Sequence, residues 1–137
     1  MLQERGLRCA LRTYVDGFAR RSNIAIDLHI SARLDRLPEN VETTLFRVVQ
    51  ESLTNIHRHS GSPTASIWIV RHATKVVLTI RDRGQGIPKS SPARPDAEAS
   101  ATGVGIESMR ERVRQAGGRV ELWSNGCGVM VRVQVPV

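Results

Sequence analysis

The chain has 137 residues, with 20 Lys+Arg against 13 Asp+Glu for a formal net charge of +7, and is 40% apolar, 24% charged and 4% aromatic. This is globular composition in a length that buries one sizeable core, which excludes wholesale disorder. Two cysteines, Cys9 and Cys127, are too few for a disulfide scaffold or a four-cysteine zinc site, and both are expected to be unpaired thiols.

Leu7, Leu11, Val15 and Phe18 recur at three- and four-residue spacing and predict a helix over 2–21. Ile24, Ile26, Leu28 and Ile30 alternate, which predicts a strand with these four on one face. Residues 31–37 read as a polar connection. Pro38 suits a helix start, and the helix runs to about Ser60, where Gly61, Ser62 and Pro63 stop it. Two strands, 64–71 and 75–82, follow around a short polar turn at His72-Ala73-Thr74. Alternation sets Val76, Leu78, Ile80 and Asp82 on one face of the second.

Residues 83–102 are loop chemistry, rich in Gly, Pro and Ser, and loops of this length are commonly functional lids or disordered. Thr102 can cap a helix over about 103–116 with Ile106, Met109 and Val113 inward, and Gly117-Gly118 ends it. Strands 119–124 and 129–135 close the chain around Asn125-Gly126, a tight-turn signal. The order αβαββ(loop)αββ predicts an α/β protein, a two-layer sandwich of a mixed sheet with helices on one face, in a single domain over 1–137.

No apolar run approaches the roughly 18–20 residues that span a bilayer, and the start, MLQERGLRCALRTYV, lacks a signal-peptide core. A soluble, cytoplasmic piece without direct membrane contact is therefore expected. The basic residues, almost all arginine, are spread along the chain with few aromatics among them. No groove-reading motif accompanies them, so nucleic-acid binding ranks last among the functions considered.

Four segments carry candidate chemistry. On the helix over 39–60, Val41, Leu45, Val48, Val49, Ser52 and Ile56 form the core stripe. Glu51 and Asn55, four residues apart, share its flank, which Arg58 and His59 extend by a turn. An acid, an amide and two basic groups on one edge suit a hydrated divalent cation and a polyphosphate, the Asn55 carboxamide oxygen suiting Mg²⁺. A solvated helix flank is the plain alternative.

The second segment is Asp82-Arg83-Gly84-Gln85-Gly86. Asp82 stands in register with the apolar face of its strand, where a carboxylate needs donors such as an exocyclic amino group. Gly84 and Gly86 would admit a planar ring close to the backbone. The third is Gly103-Val104-Gly105-Ile106, opening a helix whose free N–H groups suit phosphate. Neither the dinucleotide fingerprint nor a P-loop fits. The fourth, Gly126-Cys127-Gly128, is explained by a hairpin turn alone.

Jointly, E-x-x-x-N-x-x-R-H at 51–59, D-x-G-x-G at 82–86 and G-x-G-I at 103–106, with a last G-x-G, resemble the catalytic ATP-binding domain of bacterial sensor histidine kinases. That family lies within the gyrase, Hsp90 and MutL superfamily. The stretches LFRVVQESLTNIHRHSGSPTASI and GVGIESMRERVRQAGGRVEL look like the nitrate-sensor (NarX-like) branch.

The resemblance implies the Bergerat ATP-binding fold, with ATP and Mg²⁺ as ligands. It implies that Asn55 coordinates Mg²⁺ and that Glu51 orders a metal-bound water or acts as a base. Arg58 and His59 would contact phosphate or ribose, and Asp82 would accept from the adenine amino group, with Gly84 and Gly86 beside it. Residues 87–102 would form the ATP lid. Gly103 and Gly105 would give backbone donors to phosphates, and Gly126 and Gly128 match the last glycine box.

Val129 stands where the family often has a threonine. No segment resembles a phosphoacceptor helix, so the chain is expected to be part of a longer kinase. That parent's dimerisation and phosphoacceptor helices would lie elsewhere, with a response regulator downstream and the parent a homodimer. Whether the parent is membrane-anchored stays open. Two alternatives also remain: a serine kinase of the anti-sigma-factor type on the same fold, and a non-catalytic interaction module with a decayed nucleotide site.

Overall fold

The computed structural model describes residues 2–60, 63–82, 104–125 and 128–137. The elements are α1 (Leu2–Ser22), β1 (Ala25–Ile30), α2 (Glu39–Asn55) with a π-helical turn over Ile56–Ser60, β2 (Thr64–Arg71), β3 (Lys75–Asp82), α3 (Val104–Gln115), β4 (Arg119–Asn125) and β5 (Gly128–Pro136). The strands form one mixed sheet in the order β1-β2-β3-β5-β4. The pair β1–β2 is parallel and the other pairs are antiparallel.

Parallel β1 and β2 require a crossover, and α2 supplies it. The three helices among the described residues lie on one face of the sheet: α1 packs on β1 and α2, α2 on α1 and α3, and α3 on β4. Period-two burial follows. Ile67, Ile69, Val76, Leu78, Ile80, Val131, Val133 and Leu122 are buried under the helices, while Trp68 and Val70 stand exposed on the other face. Core residues on α1 and α2 repeat at helical spacing, as read from the sequence.

Four local features depart from the expected pattern. First, α1 is broken at Gly6 (φ 81, ψ 176) and is not one continuous helix. Second, the connection over 31–37 is not polar throughout, since Leu34 and Leu37 are buried in the core. Three side chains satisfy its backbone: Arg8 donates to the Ser31 carbonyl (2.6 Å), Arg71 to the Leu34 carbonyl (3.0 Å), and Glu42 accepts from the Leu37 N–H (3.1 Å).

Third, Glu42 is fully buried and ion-paired with Arg36 at 3.2 Å. Pro38 gives α2 no side-chain cap, so this acid also meets the positive end of the helix. Fourth, α2 ends in a π turn, a wider winding that changes the spacing of Arg58 and His59 from that of an α-helix.

The chain reverses after α3 as the sequence suggests. The Gly117 N–H bonds the Arg114 carbonyl and the Gly118 N–H the Val113 carbonyl, with Gly117 at φ 84. This is a Schellman termination, whose left-handed residue is cheapest as glycine.

Candidate functional site

Topology sets Asp82 and Gly128, two of the described candidate residues, at one end of the sheet. The last turn of α2 runs into β2, whose second residue, Ala65, pairs with Asp82 at the end of β3. On the other side of β3, β5 begins at Gly128, itself paired with Asn125 at the end of β4. A Cβ at Gly128 would lie 2.2 Å from the Asp82 carbonyl oxygen and 3.1 Å from its Oδ1, so the two chains touch there.

The helices α2 and α3 lie antiparallel. Arg47, Gln50 and Glu51 of α2 face Ser108, Met109 and Arg112 of α3 across a groove of about 160 Å³. Nearer the start of α2, Asn40 and Thr44 face Gln115 and Ala116 at the end of α3. Asn55 follows Glu51 by one turn on α2, and Ser108 lies one turn after the start of α3, where Gly105 is the second residue. The opposite end of the sheet, where Lys75 pairs with Pro136, holds none of the described candidate residues.

Asp82 is buried at 2% exposure, on the face shared with Val76, Leu78 and Ile80, as its register predicted. Its Oδ1 accepts the Val129 N–H at 3.3 Å. Gly128 therefore does more than turn a hairpin. With φ 153 and no side chain it lets β5 approach close enough for this bond, which the hairpin explanation of the last glycine segment did not include.

Asn55 is half-buried, and its Nδ2 is buried without a hydrogen-bond partner. A half-turn of the carboxamide exchanges nitrogen for oxygen, so this edge can offer an oxygen to a hard cation. With the Glu51 carboxylate one turn earlier, the donor set fits Mg²⁺. Arg58 is exposed, and His59 lies in the π turn. Gly84, Gly86, Gly103 and Gly126 lie outside the described residues, as do the expected lid over 87–102, Thr102 and Cys127.

Sequence reasoning missed Tyr14. Its ring meets Phe46 edge-on at 5.6 Å and Phe18 at 6.0 Å, tying α1 to the outer flank of α2. Burial pushes the Tyr14 phenol above its ordinary value of 10.0, opposed by Arg21 and by a hydrogen bond with Thr54, with Glu51 adding to the rise. An aromatic at helical spacing reads as core, and nothing in the pattern tells which helix it braces.

The mixed sheet and the helix layer on one of its faces define a two-layer α/β sandwich. The model of the histidine kinase-, DNA gyrase B- and HSP90-like ATPases matches residues 40–137, and the chain belongs to this family.

It is 28% identical over 137 residues to the signal transduction histidine-protein kinase/phosphatase DegS of Brevibacillus brevis, covering 99% of this chain and 34% of that protein. It is 32% identical over 137 residues to the sensor histidine kinase NarS of Mycobacterium tuberculosis, covering 100% of this chain and 31% of that protein. The chain thus spans about a third of the length of the curated relatives it matches. Among solved structures, the histidine kinase domain of the Erythrobacter litoralis EL346 blue-light activated kinase superposes with a TM-score of 0.77. That match has 20% identity and covers 95% of this chain and 60% of the other, so it shows the fold.

Proposed function

We propose that this domain binds ATP with Mg²⁺ at the Asn55–Asp82 end of the sheet and presents the γ-phosphoryl group to a histidine on a separate helical domain of its parent protein. What supports this reading is a buried Asn55 Nδ2 without a hydrogen-bond partner at the end of α2, together with an acid, Asp82, buried at the end of β3 on the face that the helices cover.

Asp82 is fixed by the Val129 N–H and accepts from the adenine amino group. N–H groups at the start of α3, where Gly105 is the second residue, face phosphate, and Gly103 belongs to the same expected set. Glu51 and Asn55 hold the metal, which when bound offsets phosphate charge. Arg58 and His59 reach phosphate or ribose. The chain's contribution is mostly positioning and charge neutralisation, as in phosphoryl transfer generally. The parent is a homodimer signalling to a response regulator, with this domain in the cytoplasm. Among the described residues no helix is long and apolar enough to cross a membrane.

The test adds a separately made acceptor-helix domain of the parent and labelled ATP to this chain. Acid-labile label on the acceptor domain is expected. Acid-stable label would support the serine-kinase alternative, and absence of label under all conditions would count against transfer.

A further inference from the structure

Among the described residues, two buried side-chain polar atoms have no hydrogen-bond partner: Asn55 Nδ2 and Ser52 Oγ. The second is unexpected, because a serine inside a helix has an easy local solution in the carbonyl four residues back. Other helical hydroxyls of this chain use it. Ser22 donates to Phe18 at 2.7 Å, Thr44 to Asn40 at 2.7 Å and Thr54 to Gln50 at 2.9 Å. Ser52, only 3% exposed, does not donate to Val48. A buried unpaired hydroxyl is costly, and alanine would fill this helix position without that cost.

Placement says what the hydroxyl could meet. Ser52 lies on the core side of α2 one turn before Ile56, in the last turn of the helix, and α2 packs on the face of the sheet where Asp82 is buried. Asp82 and Val129 point into the same layer from the sheet. The polar inventory around a base held there is one-sided. An ionised Asp82 can only accept, Val129 has no polar side-chain atom, and its N–H is already given to Asp82 Oδ1. An adenine edge shows an amino donor beside a ring-nitrogen acceptor. Asp82 answers the first and leaves the second without a donor.

We propose that Ser52 is a recognition residue for adenine, its hydroxyl donating to ring nitrogen N1 next to the amino group taken by Asp82. This rests on the nucleotide-binding reading of Asp82 given above. Guanine sets a carbonyl against the Asp82 carboxylate, two acceptors facing each other, and is rejected there.

The test is calorimetric titration of the intact domain and its Ser52→Ala variant with MgADP and with the 1-deaza analogue, in which N1 is replaced by C–H. Wild type should prefer MgADP by about fivefold, the net worth of one neutral hydrogen bond. Ser52→Ala should bind both alike, at about the affinity of wild type for the analogue. Its unfolding midpoint without nucleotide should be at or above that of wild type. A wild type that does not distinguish the two nucleotides, or a Ser52→Ala variant that keeps the full preference, overturns the role of Ser52 while leaving nucleotide binding intact. A wild type that binds neither overturns the reading of Asp82 and this proposal with it.

Discussion

Gly128 and Asp82 meet so closely that no side chain fits between them: a Cβ on Gly128 would sit 2.2 Å from the Asp82 carbonyl oxygen. The same approach lets the Val129 N–H reach Asp82 Oδ1 at 3.3 Å. Gly128→Ala must therefore push β5 away from β3 and strain a backbone at φ 153. The expected result is a loss of about 2–3 kcal/mol of stability in urea unfolding. Nucleotide affinity should also fall more than stability loss alone explains, because Asp82 loses the bond that orients it.

Asn55→Ala should separate binding from folding. The amide edge it removes has no partner, so unfolding free energy without ligand should stay within about 0.5 kcal/mol of wild type. The Mg²⁺-dependent part of nucleotide affinity should disappear, about 1.5–3 kcal/mol if the contact is worth what polar contacts to charged groups usually are. Titration calorimetry with and without Mg²⁺ reads both quantities.

Glu42→Ala should do the reverse. Its carboxylate is buried and holds Arg36 and the Leu37 N–H at the far end of α2 from Asn55. Losing it leaves a buried N–H and a cavity, at a cost of about 3 kcal/mol in chemical denaturation. Nucleotide affinity of the folded fraction should be unchanged.

Tyr14 sets an alkaline limit. Its phenol is raised above 10.0 mainly by burial, so the folded state keeps a proton that the unfolded chain releases. Stability from this group is fully present below pH 10 and is lost as pH rises through the folded value. Tyr14 is the chain's one tyrosine, so phenolate absorbance reports it directly. The midpoint should lie above 10, and Tyr14→Phe should flatten the fall of the melting temperature over the same range.

These residues also show what a sequence pattern can and cannot carry. The strands over 64–71 and 75–82 were legible to the residue because hydrophobic alternation has a fixed period, and the same period placed Asp82 on the buried face. Leu34, Leu37 and Glu42 were not legible. They sit in or against an irregular connection, where no period distinguishes a buried leucine from an exposed one. The π turn after Asn55 and the break at Gly6 escaped for a related reason, since each is a local departure from the helical spacing used to read its surroundings. Ser52 was read only as part of a core stripe. Its unpartnered hydroxyl stands out beside Thr44 and Thr54 of the same helix, both of which donate to a carbonyl four residues back.

The most direct measurement of the central claim is residue-resolved amide chemical shifts of the domain titrated with MgADP. Saturable shifts are expected at Glu51–Arg58, Asp82, the first turn of α3 and Gly128–Val129. The exposed sheet face around His29 and Trp68, which stack on each other at 5.8 Å, should stay still. Shifts centred on that face, or none at Asn55, Asp82 and Gly128, would contradict it.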